Sequence, residues 1–462
     1  MENQKNHYLV KESIGKLMLK FSIPCIVSLL VSSLYNIVDQ IFIGRGVGML
    51  GNGATNVVFP ITIIALAFAL LIGDGGAAFL SICQGRKDEK NAHRSVGNVI
   101  VVLILCSIIL TVIFAIFRDH ILWGFGATKN NIKYAEEYFN YIIIGIPFFM
   151  FGNAINSIVR ADGSPQFAMI TIFIGCIINI ILDPIAIFVL HWGMMGAALA
   201  TIMGQIVSAL FVLYYLFHTK SFHLKKSSFY LRGAILRHIF PLGISSFLTQ
   251  VSIVIIMAVM NNTLVIYGAQ SKYGSDIPLT VVGIVMKVFQ IVISVVVGIA
   301  AGAQPIVGYN YGANHYNRVK NIYKIMIAAE LGVGLIAMFC FEVFPLQIIK
   351  IFGSEEGLYN EFAVHAFQIY LSTIILCCIQ KATSIFLQSL GKPVLSMVLS
   401  LMRDIILIVP LIVLLPIKFG LISVLFSAPI ADVVSFIVVI YIMVFLFKHL
   451  DKQDEAKYVK SE

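Results

Sequence analysis

The chain carries twelve runs of about 20 or more mostly apolar residues, each long enough to cross a bilayer as a helix. They cover about 17–43, 54–83, 96–117, 134–159, 167–190, 194–217, 239–267, 279–306, 322–344, 363–388, 394–416 and 420–447. The runs are continuous rather than ten-residue alternations, which excludes a transmembrane barrel. Lipid offers a backbone amide no partner, so such runs must satisfy themselves as helices. The expected fold class is an all-α integral membrane protein of twelve transmembrane helices. Apolar residues make up 59% of the chain and charged residues 12%, about half the charged share of a soluble domain. A disordered chain, a nucleic-acid-binding module and an ordinary soluble enzyme are excluded.

The net charge of +9 reports topology rather than an anionic partner. With the N-terminus in the cytoplasm, 22 of the 32 Lys and Arg residues fall on the cytoplasmic side. Seven fall outside, and Lys287, Lys381 and Arg403 lie within helices. This bias predicts a multi-pass protein of the plasma (inner) membrane with both termini cytoplasmic. The polar start, Met1 to Lys20, predicts no cleavable signal. None of the seven cysteines forms a CxxC pair and no HExxH spacing is present, so packing cysteines are expected rather than a disulfide or metal framework. No catalytic triad or phosphate loop is visible, so neither an enzyme nor ATP hydrolysis is expected.

The halves echo one another. Arg160-Ala161-Asp162-Gly163-Ser164-Pro165 is matched by Gln388-Ser389-Leu390-Gly391-Lys392-Pro393, with Gly and Pro recurring at the same offset. Gln84-Gly85 is matched by Tyr311-Gly312, and Pro24 by Pro241. Six helices per half is an even number, so the repeats enter from the same side and are parallel. The expected organisation is a six-helix lobe over 1–217, a basic cytoplasmic linker over 218–238, a second lobe over 239–450 and a polar tail over 451–462. Two lobes with a cavity between them suit alternating access.

A carboxylate inside a bilayer costs several kcal/mol and needs a reason to be there. Asp39 lies in the outer half of helix 1 with Tyr35 four residues earlier on the same face. Asp183 lies in the outer half of helix 5 with Asn179 at the same spacing. Asn153 and Asn156 share a face of helix 4, and Thr201 adds a hydroxyl from helix 6. The corresponding second-lobe segments lack both acids, which places the ion chemistry in the first lobe. Two nearby carboxylates in low dielectric do not readily both stay ionised, so the pair would carry a proton near neutral pH. The same oxygens, from Asp39, Asn179, Asp183 and Thr201, would equally hold Na⁺. The alternative is a polar network that only fastens helices.

Pro24 sits inside helix 1, where it weakens the hydrogen-bond ladder. It reads either as a hinge answering to Asp39 or as a static kink. Lys287 is a candidate partner for Asp404. Arg403 and Asp404 are adjacent and expected to point apart. Lys381 would reach a cavity or snorkel. Asp74, between glycines, reads as packing, and Glu330 and Asp432 show no partner.

These residues resemble the multidrug and toxic compound extrusion (MATE) family, and within it the MepA-type bacterial exporters. The resemblance rests on the twelve helices, the duplicated lobes, Pro24 and Asp39, Asn179-x-x-x-Asp183, Gly302-Ala303-Gln304-Pro305 and Asn310-Tyr311-Gly312-Ala313. It implies a V-shaped fold and export of organic, often cationic, compounds in exchange for H⁺ or Na⁺. It implies a cation or proton site of Asp39, Asn179, Asp183 and Thr201, with the Ala197 carbonyl added. Tyr35, Asn153, Asn156 and Tyr138 would form its polar surround, and Pro24 the helix-1 bend. Drug-like small molecules and membrane lipid are the expected partners and nucleic acid is not. The expected state is a monomer without a cofactor other than the coupling ion. A lipid-linked precursor flippase of the same superfamily is the alternative, although only Lys287, Lys381 and Arg403 supply intramembrane cations for it.

Overall fold

The structure, a computed structural model, describes residues 8–127, 129–352 and 357–459. Lys5 and Lys460 of the charge tally lie outside the described residues. Among these residues, eleven helices are long and apolar enough to cross a membrane, and twelve if one pair bent by 47° is a single span. They are α1 (Ile14–Gly46), α2 (Met49–Gly85), α3 (Glu89–Ile116), α4 (Ile132–Ala161), α5 (Pro165–Pro184) and α6 (Gly193–Leu216) in the first half. The second half holds α7 (Gly233–Ala269), α8 (Asp276–Gly312) and α9 (Tyr316–Val343). Next comes α10, the bent pair Leu358–Tyr370 and Ile374–Ser389. The last two spans are α11 (Pro393–Phe419) and α12 (Leu421–Lys452). Every apolar run maps onto one of these, and most helices outlast their run by a turn.

The internal repeat is written in the backbone as well as in the residues. Gly163 and Gly391 both take left-handed φ, at 82° and 70°, and each is followed by a proline at the first turn of the next helix. That pairing ends one helix and starts the next with no steric conflict. Lys87 and Asn314 likewise share φ near 60°, at the turn after the Gly85 and Gly312 helices.

One apolar cluster draws on residues 43 to 239 and a second on residues 256 to 431. A third crosses between the halves, because Leu17, Met18 and Phe21 of α1 pack with α8, α9, α10 and α12. The first helix is therefore shared. Its start lies on the second half, with the Ser22 hydroxyl donating to the Ile299 carbonyl at 3.1 Å and the Ser33 hydroxyl 2.9 Å from that of Ser294. Its far end packs on α5.

The close approaches between the halves gather at the end that carries the linker. A Cβ on Gly243 of α7 would run into the Leu71 backbone of α2, and one on Gly75 into the Ile239 carbonyl. Ser81 of α2 lies against Gly308 of α8. Small residues let backbones touch where lipid supplies no hydrophobic drive, and a V joined at its base requires such contacts there. The linker is itself strapped to the first half. Asp162 accepts from the backbone N–H of Lys220 at 2.7 Å and of Ser221 at 2.9 Å, and from the Tyr215 hydroxyl at 2.7 Å. Asn98 donates to the Ser228 and Tyr230 carbonyls and accepts from the Arg232 amide.

Candidate functional site

Asp183 ends the regular part of α5, directly before Pro184. The proline ring removes the amide that would bond the Ile180 carbonyl, and a wide π turn over Ile185–Val189 follows. The acid therefore sits where the helix ladder is weakest. Opposite it, Gly204 of α6 lies so close to α5 that a Cβ there would meet the Gly175 carbonyl oxygen and stand 3.5 Å from the Asn179 Cβ. This close approach lets the Asn179 amide donate to the Thr201 hydroxyl at 3.1 Å. Ala197, one turn before Thr201, is fully buried on the same helix.

Asp39 reaches this group from α1. It and Asp183 are 9% and 0% exposed, and the two carboxylates stand within hydrogen-bond range of each other. Neither is a donor when ionised, and Asp39 Oδ1, both Asp183 oxygens and Asn179 Oδ1 are buried without a partner. Four acceptor oxygens gathered from two helices, α1 and α5, lack one thing, a positive charge. A proton shared between the carboxylates or a hard monovalent cation ringed by them would supply it. Among the described residues no group of three or more His, Cys, Asp or Glu is placed to hold a metal ion, and the hydrogen-bonding neighbours of the two acids are neutral amides and hydroxyls.

The polar surround divides. Tyr35 and Tyr138 lie within electrostatic reach of both carboxylates, and Tyr138 also reaches Thr201. Cys176, one turn before Asn179 on the same face, is near Tyr35; the Cys176-Asn179-Asp183 spacing of three and four residues was the sequence signal for it. Asn156 belongs elsewhere. Its amide donates to the Ala168 carbonyl at 2.8 Å and the Thr171 hydroxyl at 3.1 Å, and it accepts from Arg160 at 2.6 Å. Thr171 is about 18 Å along α5 from Asp183 at the helical rise, so Asn156 cannot touch the acid pair. Asn153 donates to the Phe149 carbonyl of its own helix at 2.8 Å and is not brought to the pair by any hydrogen bond among the described residues.

Asn156 instead joins a polar group at the linker end. Arg160 also donates to the Ser157 hydroxyl, which donates to Asp74 at 2.7 Å. Asp74 accepts again from Ser246 of the second half at 2.8 Å. The acid read as a packing residue thus holds α2, α4 and α7 together across the two halves. Nothing in the local sequence reveals that, because its partners lie 83 and 172 residues away.

The second half corrects several expectations. Asp404 pairs with Lys381 at 2.5 Å and with its neighbour Arg403 at 2.7 Å, not with Lys287. Arg403 also pairs with Asp432 at 2.7 Å, and Asp432 accepts from Thr373 at 2.7 Å. Adjacent side chains converge here because Met402–Ile408 is wound as a π-helix, whose wider turn departs from the 100° spacing that separates neighbours. Lys381 is consumed in this network rather than snorkelling. The two cations and two anions balance, which marks a lock between α10, α11 and α12. Glu330 is fully buried on α9 with neither oxygen partnered.

The protein-family profile described as MatE matches residues 24–185 and 241–414, one segment in each half. The multidrug export protein MepA of Staphylococcus haemolyticus is 27% identical over 467 residues, covering all of both chains. Among solved structures, a MOP superfamily transporter from Pyrococcus furiosus, described as having a reversed binding-pocket polarity, superposes with a TM-score of 0.89 at 23% identity. It covers 96% of this chain and 98% of that one. An outward-facing multidrug resistance MATE transporter superposes at 0.84 and 24% identity, over 96% and 98% of the two chains.

Proposed function

The chain belongs to the MatE family, and from that premise we propose that it is a multi-pass membrane transporter that exports small organic compounds in exchange for H⁺ or Na⁺. The observation that carries the exchange is the unpartnered, buried Asp39–Asp183 pair at the junction of α1, α5 and α6. With both acids empty of counter-charge, the first half attracts an organic cation. Entry of H⁺ or Na⁺ neutralises the pair and removes that attraction. Coupling requires only that compound and ion bind the two conformations unequally. The organic compound and the ion then take turns.

The first helix is the element through which neutralisation would be felt. Its start is fastened to the second half by Ser22, and Ser33 keeps touch with Ser294. Its far end carries Asp39 to α5. Pro24 lies in the fastened stretch, buried, without its own amide in the ladder. A change in how Asp39 binds α5 therefore pulls on a helix whose weakest rung lies near the other half. We place both termini and the linker in the cytoplasm on the Lys and Arg bias, which makes the end opposite the linker the release side.

The test is dye efflux from proteoliposomes under an imposed H⁺ or Na⁺ gradient, one at a time. Asp39→Asn and Asp183→Asn are expected to abolish gradient-driven efflux while leaving the protein folded. Full gradient-driven efflux in both variants refutes the site assignment.

A further inference from the structure

Three buried charged side chains of the second half, Arg403, Asp404 and Asp432, and the half-buried Lys381 answer one another, but Lys287 answers to none. It lies eleven residues into α8, is exposed, and makes no ion pair or hydrogen bond among the described residues. An unpaired cation at membrane depth faces water or ligand, because facing hydrocarbon is costly.

Its direction follows from the α1–α8 contact. Ser294 of α8 meets Ser33 of α1, and Gly298 meets Ile26. The two helices therefore run antiparallel, and Ser294 lies on the stripe of α8 that faces α1. Lys287 is seven residues before Ser294, two turns along, on that same stripe. Gln290 is one turn from each and also exposed. Carried outward, the Ser33–Ser294 pair sets Lys287 level with Gln40 and the Gly298–Ile26 contact sets it level with Ile37, so it lies opposite residues 37–40, a span of about 5 Å. Gln40 and the exposed Asn36 lie on the matching stripe of α1, while Asp39 and Tyr35 turn the other way, to α5. The space between the halves at this level is thus bounded by amides and one ammonium on its near walls. The acids sit behind α1.

We propose that Lys287, with Gln290, is the second-half pole of the substrate site and takes the carboxylate of a small zwitterionic compound. The cationic end of that compound is drawn to the first half. This rests on the export reading above and names the substrate class of the same site. A single unpaired ammonium discriminates a carboxylate from its ester, because the ester lacks the charge, whereas the cationic end is common to both. Gln290 supplies a second donor one turn away. The preferred substrates carry both signs of charge, separated by the width of the opening, rather than a positive charge alone.

Two dyes differing only there make the test: a rhodamine free acid and its methyl ester, each loaded into proteoliposomes under the same imposed gradient. Loss of a charged hydrogen-bond partner corresponds to about a tenfold drop in transport at limiting concentration. Lys287→Gln is expected to lower efflux of the acid by that factor and leave the ester within about twofold. Lys287→Arg, which keeps the charge, is expected to retain efflux of the acid. If Lys287→Gln changes both dyes in the same proportion, or neither, the proposal is overturned. Export of the ester by the unsubstituted protein reports on the export reading by itself. If that protein exports neither dye, the export reading falls and this proposal with it.

Discussion

Gly243 is the position where one added methyl group should move the whole molecule. A Cβ there meets the carbonyl oxygen, the carbonyl carbon and the Cα of Leu71, all backbone atoms of the opposing helix. No side chain is available to swing aside, so α7 must retreat from α2. Overpacking of this kind costs about 1–3 kcal/mol. Alanine also favours a helix over glycine by about 1 kcal/mol, but α7 is helical in either conformation and that gain cancels between them. The penalty falls only on conformations with the halves touching at the linker end. A bias of about 1–3 kcal/mol multiplies the population of parted conformations about 5- to 150-fold. Ser81 of α2 is 1% exposed and faces Gly308 of α8 across the same seam. It lies ten residues, or about 15 Å, from Leu71, far enough not to sense the methyl directly. In a background with the seven native cysteines replaced, Ser81→Cys labelled with a membrane-impermeant maleimide reports the parting. Gly243→Ala should raise the labelling rate at least fivefold and slow gradient-driven efflux. An unchanged rate in a protein that still folds would refute the idea that this contact closes the linker end.

The charge lock of the second half should be unforgiving of partial loss. Arg403→Met leaves Asp432 with Thr373 alone and Asp404 with Lys381 alone, a penalty of about 3–5 kcal/mol for uncompensated buried charge. The thermal midpoint in detergent should fall clearly, and adding Asp432→Asn should recover part of the loss. No fall in the single variant would show the network to be dispensable. At the linker, Asp162→Ala removes the acceptor of two backbone amides and of Tyr215. Local opening there should become at least about tenfold easier, since each lost bond is worth about 1 kcal/mol or more. Trypsin cleavage at Lys220, Lys225 or Lys226 should quicken accordingly, because cleavage of an opened segment follows its population. An unchanged cleavage rate would mean that Asn98, Gln84 and His93 hold the strap without Asp162.

Helix number, the Gly–Pro turns and the internal repeat were legible in the chain because each depends on local physics; the helix ends, which overrun the apolar stretches by about a turn, were not. A run of about 20 apolar residues must be helical in lipid whatever surrounds it. The Gly163–Pro165 and Gly391–Pro393 turns announce themselves by the only residues that fit a left-handed stop and a proline start. Asp39 and Asp183 were legible for a related reason: a carboxylate in an apolar run is too costly to be incidental. Spacing on a single helix also set Tyr35 near Asp39 and Asn179 near Thr201, where the structure has them.

What the chain alone did not decide was which charges meet. Asn156 shares a helix face with Asn153, yet its depth along α4 delivers it to Ala168 and Arg160 rather than to the acids. Arg403 and Asp404 follow the rule for neighbours only in a regular α-helix, and a π-wound segment suspends the rule. Asp74 finds Ser246 and Asp432 finds Arg403 across different helices. Lys287 is the converse case, left alone because the face it occupies looks across the gap between the halves. Pairing of this kind depends on the rotation and depth at which two helices are laid together. Small residues scattered along both set those two quantities, and they acquire meaning only once the partner helix is in place.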